Sequence, residues 1–204
     1  SYAIIPDQIE AGTYMAAVAA AGGQVRIHNI IPKHLECITA KLQEMGVSVV
    51  EDGDDLVVSR RGALSRANVK TMPYPGFPTD MQPQIAAVLC LAQGTSVLTE
   101  GVWDNRYRYV DEFRRLGAQI QVDGKVAVIE GVSQLTGAPV RACDLRAGAA
   151  LVIAGLAAHG VTEIDSIYHI ERGYEDIVRK LTGVGADIRV VITPDQEEAQ
   201  ANAG

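Results

Sequence analysis

The stretch Thr71–Gln84, TMPYPGFPTDMQPQ, decides how the rest of the chain is read. Pro73, Pro75, Gly76 and Pro78 fall within six positions. Proline's missing amide and fixed φ exclude both a helix interior and a central strand there, so the segment is a stiff loop. Beyond it, Thr79 and Gln82 stand at capping-box spacing ahead of the apolar run IAAVLCLA. A helix is therefore expected to begin at Thr79 or Asp80, with Pro83 tolerated in its first turn. Asp80 falls where rigid loop meets helix N-terminus. Two roles suit a carboxylate in that place: stabilising the helix start, or being held still to accept a proton.

Outward from this stretch the chain repeats itself. Each unit reads as a short strand, an acidic residue opening an Ala-rich helix, a Gly, a strand, an amphipathic helix ending in Gly, and a final strand or hairpin. Gly23, Gly94 and Gly160 are 71 and 66 residues apart, and Gly46, Gly117 and Gly185 are 71 and 68 apart. A fixed period of this kind means one supersecondary unit used three times. Approximate limits are 1–63, 64–135 and 136–192. Glycine suits the helix ends because the residue after the last turn usually takes φ > 0. In the first unit Tyr2–Ile5 is the expected opening strand, and Asp7 begins a helix through Ala21. Leu35, Ile38, Leu42 and Met45 then give the next helix one buried face. VSVV and DLVVSR flank Gly53 as a hairpin. In the second unit AQIQV and VAVIE flank Asp123-Gly124, read as a type I′ turn pair. The third unit opens at Val140–Ala142, carries the helix LRAGAALVIAGLAA, and ends in the strand ADIRVVI, Ala186–Ile192, with no return strand. Its unpaired edge is expected to be covered by a separate piece of chain. The acidic, apolar-poor residues 193–204 read as a disordered tail. Asp7, Asp80 and Asp144 hold equivalent places, 16, 14 and 16 residues before their glycines, so helix capping would account for all three.

Composition narrows the class. With 204 residues, 48% hydrophobic and 21% charged, the chain can bury a sizeable core as one α/β domain. A net charge of -7 without a Lys/Arg cluster argues against a nucleic-acid surface, so an anionic ligand must be met by individual arginines. Three widely spaced cysteines have neither disulfide nor zinc spacing and suit a reducing compartment. Cys37 and Cys90 read as small core residues, Cys143 as packing. His28, His34, His159 and His169 show no metal spacing. The apolar runs fall far short of the roughly 18 residues of a membrane span, no signal peptide is read, and a cytoplasmic location is expected. A first residue of Ser rather than Met fits a processed or excised piece.

Four separated motifs carry a resemblance: PYPGFPTDMQ at Pro73–Gln82, TEGVWDNR at Thr99–Arg106, DLRA at Asp144–Ala147 and YHIERGY at Tyr168–Tyr174. In that order they resemble the enolpyruvyl transferases acting on UDP-N-acetylglucosamine, and the likeness runs from IIPDQIEAGTY at Ile4–Tyr14 to GADI at Gly185–Ile188. Family members are about twice as long. They carry a second globular domain, inserted after a short N-terminal piece, that holds a mobile loop with a reactive Cys or Asp. This sequence has no counterpart of that domain. The resemblance implies the family's inside-out α/β barrel of three βαβαββ repeats. It also implies transfer of the enolpyruvyl group of phosphoenolpyruvate to the 3-hydroxyl of UDP-N-acetylglucosamine, toward peptidoglycan, with no cofactor and no metal.

Residue by residue, the resemblance implies Asp80 as the catalytic carboxylate. Arg106, Arg146 and Arg172 are implied on phosphoenolpyruvate, since guanidinium pairs bidentately with carboxylate or phosphate. Val102 and Trp103 are implied contacts to the sugar and its nucleotide, although the family more often has Phe where Trp103 stands. Asp144, two residues from Arg146, is expected to orient rather than react. The implied partners are the two small-molecule substrates and the missing domain, in cis or in trans, with no nucleic acid and no membrane. The isolated chain is expected to fold without transferase activity. A non-catalytic domain binding a nucleotide sugar or a partner protein is the alternative from another class. A related enzyme acting on shikimate 3-phosphate fits PYPGFPTDMQ and YHIERGY less well.

Overall fold

The three Ala-rich helices set the architecture, because each is apolar on all sides and can only lie in the interior. The computed structural model describes residues 4–192 of the chain. The first unit comprises α1 (Gln8–Ala21), β1 (Gly23–Ile27), a 3-10 turn Pro32–Leu35, α2 (Glu36–Glu44), β2 (Ser48–Asp52) and β3 (Asp55–Arg60). The second adds β4 (Leu64–Ser65), β5 (Val69–Lys70), a 3-10 turn Thr79–Met81, α3 (Gln82–Leu89), β6 (Ala92–Gln93), β7 (Thr95–Thr99), α4 (Val110–Arg115), β8 (Gln119–Asp123) and β9 (Val126–Glu130). The third adds β10 (Pro139–Arg141), α5 (Leu145–Ala157), β11 (Glu163–Asp165), α6 (Tyr168–Glu171) and α7 (Ile177–Gly183). Helices α1, α3 and α5 pack on one another at the centre. The sheets and outer helices surround them, the inside-out α/β arrangement that the motifs imply.

Sheet pairing repeats with the units. In the second unit β5 runs parallel to β7, which pairs antiparallel with β9, which pairs with β8. The first unit keeps β1-β3-β2, and the third keeps the parallel pair β10-β11. The landmark glycines all have positive φ, between 89° at Gly160 and 100° at Gly94. At Gly46, Gly117 and Gly185 the amide bonds a carbonyl three residues back. The next residue's amide, from Val47, Ala118 and Ala186, bonds the carbonyl five back. This is the same Schellman closure made three times. Leu35, Ile38, Leu42 and Met45 are buried, as their spacing predicts.

The structure corrects three expectations, and a fourth falls outside the described residues. Tyr2 and Ala3 of the first opening strand lie outside the described residues, and Ile4 and Ile5 are exposed without ladder partners. The expected tail, 193–204, also lies outside the described residues. Ala186–Ile192 forms no strand, because no described segment stands where β3 and β9 hold the equivalent β2 and β8. The hairpin pairs Asp123 with Val126, so its loop is Gly124-Lys125 with φ > 0 at Gly124 alone. That matches the II′ pattern rather than I′, and Asp52↔Asp55 around Gly53 repeats it.

Close helix packing near the site depends on Gly148 in α5. A Cβ there would lie 2.6 Å from Ile170 Cγ1 and 3.2 Å from the Ala142 Cβ. Gly148→Ala is predicted to destabilise the chain by about 1–3 kcal/mol, even though Ala favours a helix interior by about 1 kcal/mol. An unchanged urea midpoint would contradict this packing.

Candidate active site

One buried carboxylate fixes the two loops that carry the site. Glu100, at the end of β7, is 1% exposed. Its Oε1 accepts from Thr71 Oγ1 at 2.7 Å, Thr79 Oγ1 at 3.1 Å, and the backbone amides of Val102 at 2.9 Å and Trp103 at 3.1 Å. Thr79 Oγ1 is also 3.1 Å from Oε2, and Gly101 N donates to Thr71 Oγ1 at 2.8 Å. Both ends of the proline loop are thereby tied to the turn that leads into Arg106. Within that loop Met72 N donates to Phe77 O at 2.9 Å, Gly76 N donates to Pro73 O at 2.9 Å, and Phe77 is buried. The Tyr74–Pro75 bond is cis.

Asp80 sits just beyond, in the 3-10 turn. Its Oδ1 accepts from Arg106 Nη2 at 3.1 Å and its Oδ2 from Arg146 Nη2 at 3.2 Å. The Asp80 side chain is 42% exposed, against 20% for Arg106 and 18% for Arg146. Arg106 also donates to Thr79 O at 3.5 Å, and its buried Nε has no partner among the described residues. Asn105, the residue before Arg106, takes a positive φ of 55°. Burial works against the Arg146 charge, but Tyr174 and Asp80 outweigh it and hold that guanidinium above the ordinary arginine value.

Equivalence in the repeat does not mean equivalence in role. Asp7 caps α1 through Oδ1, accepting from Ile9 N at 2.7 Å, and Asp144 caps α5, accepting from Ala147 N at 2.8 Å. Asp80 makes no such bond. The capping box expected of Thr79 and Gln82 is absent too, because tertiary partners claim both side chains. Thr79 turns to Glu100, and Gln82 Oε1 accepts from the Tyr109 hydroxyl at 2.8 Å.

Of the arginines expected to share one anion, Arg106 and Arg146 converge. Arg172 follows α6, is exposed, and makes no side-chain hydrogen bond or ion pair among the described residues. Arg106 and Arg146 are bridged by Asp80, whose two oxygens take one guanidinium each. Arg146 likewise bonds Asp80 rather than its sequence neighbour Asp144. Val102 and Trp103 are pinned through their amides while their side chains remain exposed.

Sequence reasoning missed Glu100 and a polar cluster among the central helices. Thr13 of α1 lies 2.8 Å from the buried Tyr174 hydroxyl. Gln84 of α3 donates to Thr13 at 3.3 Å and to Tyr174 at 3.4 Å. Polar residues inside helices that are otherwise apolar all round signal such a network, since buried polar groups need partners.

A family model described as EPSP synthase (3-phosphoshikimate 1-carboxyvinyltransferase) matches residues 1–181. The chain belongs to the EPSP synthase family. It is 60% identical over 188 residues to UDP-N-acetylglucosamine 1-carboxyvinyltransferase 3 of Caldanaerobacter subterraneus subsp. tengcongensis, covering 92% of this chain and 45% of that protein. It is 53% identical over 202 residues to the UDP-N-acetylglucosamine 1-carboxyvinyltransferase of Desulfofundulus thermocisternus, covering 99% of this chain and 83% of that one. The crystal structure of the enolpyruvyl transferase NikO from Streptomyces tendae superposes with a TM-score of 0.81 at 32% identity, over 91% of this chain and 44% of that one. The chain spans about half the length of the Caldanaerobacter relative and of the Clostridium botulinum enzyme it also matches.

For this member of the EPSP synthase family, Glu100→Ala is expected to lose about 3 kcal/mol or more of stability. Two threonine hydroxyls and two amides would be left without their acceptor, at about 1–3 kcal/mol for each group that stays buried and unsatisfied. Chemical denaturation measures it, and a loss below about 1 kcal/mol would show that water replaces the carboxylate freely.

Proposed function

We propose that this chain is the Asp80-bearing half of a transferase that moves the enolpyruvyl group of phosphoenolpyruvate to the 3-hydroxyl of UDP-N-acetylglucosamine. The observation that carries the reading is Asp80 itself. It is a carboxylate on a fixed loop, excused from helix capping, with two guanidiniums at its oxygens. The family model takes its name from the shikimate enzyme, while relatives at 53–60% identity carry the nucleotide-sugar name, and the reading follows the relatives.

In this reading Asp80 accepts the proton of the sugar hydroxyl. The freed oxygen bonds to C2 of phosphoenolpyruvate as C3 takes up a proton. C3 then gives a proton back, the double bond reforms and the bond from C2 to the phosphate oxygen breaks. Inorganic phosphate leaves with that electron pair and, in the net balance, the hydroxyl proton. Arg106 and Arg146 neutralise the anionic substrate, and the exposed Arg172 joins them once a ligand is present. Asp144 orients Arg146 by capping the helix whose first turn carries it. Val102 and Trp103 meet the sugar and nucleotide. The remaining contacts come from a second domain, in cis or in trans. The step belongs to peptidoglycan precursor synthesis in the cytoplasm. No described helix is long and apolar enough to cross a membrane.

A site shared between two domains loses proximity and orientation when one is absent, so the chain alone is predicted to show negligible turnover. In the complete two-domain enzyme, Asp80→Asn should lower kcat by roughly 10²- to 10⁴-fold, the usual contribution of a general base. Thermal stability should change little, because this side chain caps nothing and its two ion pairs are partly exposed. A kcat within about threefold of the parent would contradict the base assignment.

A further inference from the structure

Asp80 and an incoming anion compete for the same donors. One Nη2 from each guanidinium is spent on the Asp80 oxygens, at 3.1 and 3.2 Å. Ion pairs that are partly exposed, as these are, are individually weak. A phosphate or carboxylate ligand can engage guanidinium bidentately, and the Arg106 Nε that faces no acceptor is part of the same planar fork.

Asp80 is also free to let go. Its side-chain oxygens bond only the two arginines among the described residues, whereas Asp7 and Asp144 are tied to backbone amides. The turn beneath it is fixed independently. Thr79 is held by Glu100, and the Met81 side chain is fully buried. Rotation of the Asp80 carboxylate about its own side-chain bonds therefore leaves the loop in place.

We propose that Asp80 is the resident counter-ion of the anion site formed by Arg106 and Arg146. An anionic ligand displaces its carboxylate from both guanidiniums, so the base is released where, and only where, the anion is bound. The base role rests on the transferase reading above; the competition is a property of this chain alone. It couples anion capture to proton acceptance without a change in fold, and it offsets one of the two guanidinium charges while the site is empty.

The test is calorimetric titration of the 204-residue chain with inorganic phosphate at low ionic strength, where screening is least. Asp80→Asn removes the competitor and should bind phosphate about tenfold more tightly than the parent, equivalent to about 1.4 kcal/mol. Asp80→Ala should do the same. Adding Arg146→Ala to Asp80→Asn should return binding to the parent level or below. General damage to the site weakens binding, so a gain reports loss of the Asp80 charge from the anion site. Equal or weaker binding by Asp80→Asn overturns the proposal, and so does an absence of phosphate binding in both proteins. The transferase reading is decided separately, by turnover of the complete enzyme.

Discussion

Glu100 is the constraint on which the site depends. A carboxylate removed from water is costly unless hydrogen bonds replace its hydration. Here two threonine hydroxyls and two backbone amides do so, drawn from both ends of the proline loop and from the turn after β7. Each donor that satisfies Glu100 is thereby given a fixed place. Asp80 and Arg106 follow from that, one residue after Thr79 and three after Trp103. The prolines supply stiffness, and the buried acid supplies register.

The threefold repeat builds the platform, and departures from it build the chemistry. Three Ala-rich helices fill the centre, three Schellman closures end the outer helices, and two of three equivalent aspartates cap in the same way. At the third, Thr79 and Gln82 are claimed by Glu100 and Tyr109, and Asp80 is left facing solvent and two arginines. Arg106 comes from the second unit and Arg146 from the third, while Thr13 of the first meets Gln84 and Tyr174. The site thus lies where all three units approach one another, and its arginines are brought together only by tertiary folding.

Much of this was legible locally. Leu35, Ile38, Leu42 and Met45 announce a buried face through spacing alone, and the landmark glycines announce left-handed helix ends because few other residues tolerate them. The stiff loop and the position of Asp80 followed from proline geometry. What escaped depended on partners distant in sequence. Thr79 and Gln82 satisfy a capping rule on paper, yet Glu100 and Tyr109, 21 and 27 residues away, compete for them. Ala186–Ile192 has the composition of a strand, but a strand exists only where a neighbour accepts its hydrogen bonds. The turn beside Asp123 moved by one residue because strand register, not dipeptide preference, chose the loop. Arg172 carries a family motif without any local signal to place its side chain. Glu100 stands inside the TEGVWDNR motif, yet nothing local marks it as a buried acid, since one acidic residue before a glycine is common on surfaces.

The proposed transferase role is tested most directly by supplying a second half in trans. Assembled with the remaining half of a full-length relative, this chain should release inorganic phosphate from phosphoenolpyruvate only when UDP-N-acetylglucosamine is also present, with both halves required. An assembled pair that binds both substrates and releases no phosphate would contradict it.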